Sequence, residues 1–409
     1  MTTIQEPARD VPVIGRPEVV VIGGGSAGVA AATAAARRGA ETWLLESTST
    51  IGGLATFGLI NLLLTLDDGA GTQVVAGLCQ EVVDRLGERA VFPPPGDWNR
   101  EDAEVVDRWR RWGLIWGAPE SVRYSVAFDP EDFVDVGYDL LRTSGVHLRL
   151  FSWFAGVVMD PDGHRIDAVV VESKRGREAI VPKVVVDATG DGDVFVAAGA
   201  PFESVSIPPY SWFRVGGVDG DPTGAFVFRT TSPGRYLVPW GPHADRVDAT
   251  DPDQLTTATL ACRRAARGEL ERLQREVPGF ERAWLDDHAR MLGITESRRL
   301  VGDHVMVKED ADVRLPDAVA RTGHWTRRDV VFDIPLRAMT TATARNLVVA
   351  GRCISTSRYV HQATKEIPAA MATGEAAGAA AARTGDDGDV RALDVDALRA
   401  DLAHAGAIV

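Results

Sequence analysis

The chain has 409 residues, is 45% hydrophobic and carries a formal net charge of −14. That length and apolar fraction suit a large core and two domains. The acidic balance, with no basic cluster, argues against a nucleic-acid partner. Cys79, Cys262 and Cys353 show neither C-x-x-C nor zinc spacing. A disulfide framework and a redox dithiol are therefore not expected, and the cytoplasm is the expected location. Residues 1–17 are polar, without an apolar signal core. No apolar stretch approaches the ~20 residues needed to cross a bilayer, so no membrane partner is expected.

Val19, Val20, Val21 and Ile22 form an apolar, β-branched run that reads as a strand buried on both faces. Gly23-Gly24-Gly25-Ser26-Ala27-Gly28 follows directly and fits G-x-G-x-x-G. An alanine-rich helix is predicted from about Ser26 to Arg38, with Gly39 as its C′ residue. A second strand, Thr42 to Leu45, ends at Glu46 and Ser47. The unit is β-α-β, and its first turn can hold a pyrophosphate on the helix N-terminus. Gly23 permits the tight turn, Gly25 lets phosphates approach the backbone, and Gly28 lets helix and strand pack closely. Glu46 can accept hydrogen bonds from ribose hydroxyls, and it repels a 2′-phosphate, which argues against NADP. Gly52-Gly53, followed by Leu54-Ala55-Thr56, offers a second backbone segment to the pyrophosphate.

With these motifs the sequence resembles the FAD-dependent oxidoreductases of the glutathione-reductase superfamily, and more closely the succinate dehydrogenase-like branch. The resemblance, rather than spacing, implies FAD in place of NAD.

Leu59 to Leu64 reads as either a buried strand or part of a substrate-pocket wall. Leu78 to Leu86 reads as a helix with Leu78, Val82, Val83 and Leu86 on one face. Trp98, Trp109, Trp112 and Trp116 cluster after a proline-rich break, and the last three fit one helical face. They read as an apolar cluster over a loop or as an aromatic lining for an organic substrate. Asp129-Pro130 opens a helix to about Thr143, ended by Gly145. His147–Val158, Ile166–Glu172 and Val184–Val186 read as successive strands of a meander. The resemblance implies that backbone near Phe154 meets the adenine.

Val184-Val185-Val186-Asp187-Ala188-Thr189-Gly190 is an apolar strand leading into a glycine turn. Related FAD proteins carry a similar turn against the ribityl-pyrophosphate. Asp191 and Asp193 could resemble metal ligands, but no further oxygen-ligand pattern follows, so no metal is expected. Residues 203–332 lack such turns and read as an inserted domain. Within it, residues 206–214 could be a substrate-facing strand or a surface loop, and a helix is predicted at about Asp253 to Arg275.

Glu296-Ser297-Arg298 resembles a family stretch near the flavin junction. Arg298 could stabilise a reduced flavin or bind a carboxylate, or it could form a structural ion pair with Glu296. Asn346 to Ser355 is another apolar strand ending in Gly351-Arg352, and a helix begins at Ile367-Pro368. The resemblance places the start of that helix, with Ala369, Ala370 and Met371, against the flavin N1 and C2 carbonyl. Relatives commonly have His where this chain has Arg358 and Arg where it has Lys365, whereas His361 matches a frequent family histidine. His361 is the leading candidate base, with a core histidine as the alternative; Lys365, Arg358 and Arg298 complete the candidate catalytic set.

The expected fold class is α/β: a Rossmann-type FAD-binding domain with a β-meander and an inserted α+β substrate domain. The FAD domain is assigned residues 14–66, 123–202 and 333–385. A Trp-rich helical excursion takes 67–122, a substrate or cap domain 203–332 and a C-terminal helix 386–409. The expected activity is removal of a hydride from a small amine, alcohol or acid to flavin N5, with oxygen or another acceptor downstream. An NAD(P)H-using flavin monooxygenase and a non-catalytic FAD protein are the alternatives.

Overall fold

The computed structural model describes residues 3–239 and 244–409. Its centre is a five-stranded sheet in the order Leu347–Val349, Val184–Asp187, Val19–Ile22, Thr42–Leu45, His147–Arg149. Every neighbouring pair is parallel. Val19–Ile22 is buried along its whole length, as its unbroken apolar pattern requires. From this strand the chain moves first to Thr42–Leu45 on one side and later to Val184–Asp187 on the other. That reversal makes a crevice beyond the carboxyl ends of the two central strands.

The helix Ser26–Arg37 follows the first strand, and the helix Ile367–Arg383 lies against it. Both are rich in alanine, so their axes can approach closely. Gly39, with φ +87°, stops the first of them. Leu78–Leu86 forms the expected helix and buries Leu78, Val82, Val83 and Leu86. Pro130–Ser144 starts at an Asp129 cap and ends at left-handed Gly145.

The meander is Trp153–Met159, Ile166–Ser173 and Gly176–Ile180, all antiparallel, with Val13–Gly15 added in parallel. It gives Val169, Val171 and Ile180 to the same core as the parallel sheet. The sequence suggested a meander of His147–Val158, Ile166–Glu172 and Val184–Val186; the first of these makes two strands, and Val184–Asp187 joins the parallel sheet instead. His147–Arg149 is the edge of the parallel sheet, and Phe151, at φ +55°, turns the backbone into the meander. The tryptophan helix is likewise shorter than its spacing suggested. It spans Ala103–Arg110 and buries Trp109, and Gly113 at φ +75° redirects the chain, so Trp112 and Trp116 lie beyond it.

A second sheet is antiparallel, in the order Phe228–Arg229, Tyr236–Val238, Phe213–Gly216, Trp284–His288. The helix Pro252–Glu276, capped by Asp251, packs Ala266, Leu270 and Leu273 into the cluster that holds Phe213 and Val215. Among the described residues no helix is long and apolar enough to cross a membrane.

Candidate active site

Three backbone turns meet at the crevice. The first is Gly23–Gly28. A β-carbon on Gly28 would lie 1.8 Å from the Gly23 carbonyl oxygen, so helix and strand touch there. Gly25 differs: beyond its chain neighbours a β-carbon would find no atom of the described residues within 4 Å, because it faces open cavity. The helix that begins at Ser26 has no side-chain cap and no acid in its first turn. Its first N–H groups are therefore available to an anion.

Glu46 ties this turn to the Ser47–Thr48 segment that follows the second strand. One carboxylate oxygen accepts from Gly24 N at 2.7 Å; the other accepts from Thr48 N at 2.7 Å and Ser47 Oγ at 3.1 Å. Gly52, at φ +101°, donates to the Gly24 carbonyl at 2.8 Å. Gly53, Leu54 and Ala55 then line the cavity, while Thr56 Oγ1 donates to the Ile51 carbonyl at 2.9 Å and holds the loop from behind.

The second turn is Ala188–Gly190. Asp187 organises it: Oδ1 accepts from Thr189 N and Oγ1 at 3.1 and 2.7 Å, and Oδ2 accepts from Val194 N and Phe195 N at 3.0 Å. Asp191 accepts from Arg352 at 2.8 Å and from Ser297, while Asp193 pairs with Arg298. These two acids serve an arginine network. The third turn is Ala350–Arg352. Gly351 has φ +82° and donates to Thr373 Oγ1 at 3.0 Å. Pro368 sits in the first turn of the Ile367–Arg383 helix. The Glu366 side chain makes no cap, which leaves that helix start open as well.

All three turns face one cavity of about 540 Å³. Its second group of lining residues is aromatic. Trp116 and Trp325 meet edge-on with ring centres 5.4 Å apart, and Tyr210 and Trp212 lie 6.2 Å apart. Lys365 Nζ sits 5.6 Å from the Trp325 ring centre and 3.8 Å from Glu366 Oε1. Burial pushes the Glu366 carboxyl up to about 7, against the opposing pull of Lys365. The Tyr210 phenol is held above its ordinary range by burial first and by the Glu366 charge second.

The sequence profile described as FAD dependent oxidoreductase matches residues 18–233 and 210–402. The chain belongs to the FAD-dependent oxidoreductases. Among solved structures it is similar to a geranylgeranyl bacteriochlorophyll reductase-like protein from Thermoplasma acidophilum. The identity is 14%, over 95% of this chain and 84% of the other, with a TM-score of 0.53. It is also similar to p-nitrophenol 4-monooxygenase PnpA from Pseudomonas putida, at 14% identity, 95% and 81% coverage and a TM-score of 0.48. L-amino acid deaminase from Proteus myxofaciens matches at 14% identity, 93% and 92% coverage and a TM-score of 0.48. No curated protein matches the chain. The fold is that of a flavoprotein, and the cofactor is FAD.

In this oxidoreductase Gly23, Gly25, Ser26, Ala27, Glu46, Ser47, Gly52, Gly53, Leu54 and Ala55 line the cavity. So do Phe154, Ala188, Thr189, Gly190, Gly351, Arg352, Lys365 and Ala370. Gly28 and Thr56 support from behind, and Ala369 and Met371 turn into the core. His361 stands behind the wall. It is wholly buried, its Nε2 donates to the Thr295 carbonyl at 3.0 Å, and Nδ1 has no partner among the described residues. Burial drives its pKa down to about 3, so the ring is neutral. Arg358 is 65% exposed and 3.9 Å from Glu296. Arg298 points at the Asp191–Asp193 turn, donating to the Asp191 carbonyl at 2.7 Å. Glu296 pairs with Arg299 at 2.9 Å rather than with Arg298.

Glu366 and Trp325 carried no motif and were not singled out from the sequence. The usable signal for Glu366 was a carboxylate beside Lys365, directly before the Ile-Pro that starts a cavity-lining helix.

Proposed function

We propose that the chain removes a hydride from a small organic substrate, an amine, alcohol or acid, held beside its FAD. One observation carries this reading: a single cavity joins the three backbone turns to an aromatic chamber containing Lys365 and Glu366. Bound FAD supplies the two-electron redox chemistry. The open N–H groups after Gly25 suit its pyrophosphate, and Glu46 and Ser47 suit the ribose. Backbone near Phe154 suits the adenine, and Ala188–Gly190 with Gly351 and Arg352 suit the ribityl region. The uncapped start of the Ile367–Arg383 helix suits negative charge on a reduced flavin. The bare cradle at Gly25 supports the fit, since any side chain there would occupy the cavity.

Trp116, Tyr210, Trp212 and Trp325 would bind the apolar part of the substrate and exclude water. Lys365 would supply a point charge for an anionic group. We place the chain in the succinate dehydrogenase-like branch and in the cytoplasm; three buried, unpaired cysteines support the location. Oxygen or another acceptor would take the electrons. The test is anaerobic mixing of the holoprotein with panels of amines, alcohols and acids. Bleaching of the oxidised-flavin band by one of them supports the reading. Bleaching by NADH or NADPH alone replaces it with a monooxygenase-type cycle.

A further inference from the structure

The cavity holds one carboxylate beside an amine where hydride chemistry would occur. Glu366 precedes the Ile367–Arg383 helix but does not cap it; its backbone there is extended, at φ −73° and ψ 154°. Its side chain lines the cavity, 16% exposed, with Oε1 3.8 Å from Lys365 Nζ. The charged and titratable groups acting on it are Lys365 from its own segment and the Tyr210 phenol, while Arg352, Asp191, Asp193 and Glu46 line the same cavity. Arg352 is committed to Asp191 at 2.8 Å. His361 is turned away to Thr295.

We propose that Glu366 is the base that takes the substrate's proton, and that the substrate carries an exchangeable O–H or N–H on the carbon being oxidised. The proposal rests on the hydride-removal reading above and narrows its substrate class to alcohols, hydroxy acids and amines. The O–H or N–H bond breaks, and its proton goes to a Glu366 oxygen. The electron pair left behind becomes the second bond of C=O or C=N. The adjacent C–H bond breaks with hydrogen and both its electrons leaving as hydride to bound FAD. The substrate loses two electrons and FAD gains two. A carboxyl pushed up to about 7 is matched to this task near neutral pH.

The test compares wild type, Glu366→Gln and Glu366→Asp, all loaded with FAD. Without substrate, the flavin spectrum of wild type is titrated across the neutral range. One single-proton transition is expected, and it is absent in Glu366→Gln. Anaerobic flavin reduction by the best alcohol or amine is expected to fall about 10²- to 10⁴-fold in Glu366→Gln, with partial return in Glu366→Asp. The rate limb that falls toward acid pH disappears with it. Unchanged flavin content and melting temperature show that both variants fold. A neutral-range transition that persists in Glu366→Gln overturns the proposal, as does an unaltered rate and pH limb. Bleaching by a saturated acid alone overturns it too. Should no compound bleach the flavin, the hydride-removal reading fails by itself, and the spectral titration still decides whether Glu366 is the titrating group.

Discussion

Gly374 lies against the carbonyl oxygen of Ala27 so closely that a β-carbon on it would stand 2.2 Å away. Gly378 meets the Ala31 carbonyl in the same manner, at 2.0 Å. The obstacles are backbone atoms of the helix whose first turn lines the cavity, and they cannot swing aside. Gly374→Ala therefore drives the two helices apart beside the first turn of one, about two turns along from the start of the other. The expected cost is about 1–3 kcal/mol of stability, with weakened FAD binding. Urea denaturation of the apoprotein and titration with FAD measure the two effects separately.

Two glycines of the first turn should respond in opposite ways. Gly28→Ala meets the Gly23 carbonyl at 1.8 Å and is expected to damage the fold. Gly25→Ala meets no atom of the described residues beyond its chain neighbours and leaves the apoprotein intact, but its methyl group projects where the phosphates would lie. Its melting temperature without FAD is expected to match wild type, while FAD retention on gel filtration is lost. A fall in apoprotein stability for Gly25→Ala equal to that for Gly28→Ala would remove the distinction.

What the sequence could show follows the range of the forces involved. The β-α-β unit was readable because burial on both faces and glycine conformation act over a few neighbouring residues. The helices at Leu78–Leu86 and Pro130–Ser144 carried their periodicity and caps locally. The break after Arg149 was not readable, because leaving one sheet for another depends on partners far along the chain. The aromatic chamber was readable only in part: Trp116 and residues 206–214 were each offered as substrate-facing, but that they meet one another and Trp325 depends on the fold. His361 resembled a base in sequence, yet no spacing reveals that a ring is sealed behind a wall. Glu366 is its counterpart, an unremarked acid whose placement in the cavity gives it chemistry.

Glu375 gives a stability prediction with a definite sign. It is 3% exposed, and its Oε2 accepts from Leu78 N at 2.9 Å, at the start of the Leu78–Leu86 helix. Burial raises its carboxyl from 4.5 to about 7, against the Leu78 bond and the charges of Arg38 and Arg37, while Glu81 adds to the rise. Between those values the folded chain holds a proton that the unfolded chain has released. Its contribution is complete below about pH 4.5 and is lost as pH rises through 7. The loss is about 3 kcal/mol. Glu375→Gln keeps an acceptor for Leu78 N and removes the titration. Chemical denaturation is expected to show the variant gaining on wild type as pH rises from mildly acid to mildly alkaline. A constant difference across that range would count against the assignment.

His361 supplies the complementary prediction for catalysis. Its pKa is depressed to about 3 by burial, with the Thr295 bond opposing and Arg299, Lys365 and Arg352 adding to the fall. The neutral ring donates from Nε2 to the Thr295 carbonyl, which belongs to a cavity-lining residue. Its effect on the site therefore passes through the wall. His361→Gln can place an amide N–H near the same carbonyl and is expected to be mild. His361→Leu leaves that carbonyl without its donor and is expected to cost about 1–3 kcal/mol. In both variants the neutral-pH limb of flavin reduction keeps its midpoint, since the titrating group is elsewhere. Stopped-flow reduction across pH, set beside urea melts, measures both quantities. Loss of the limb in His361→Gln, with stability preserved, would return the proton-transfer role to the histidine.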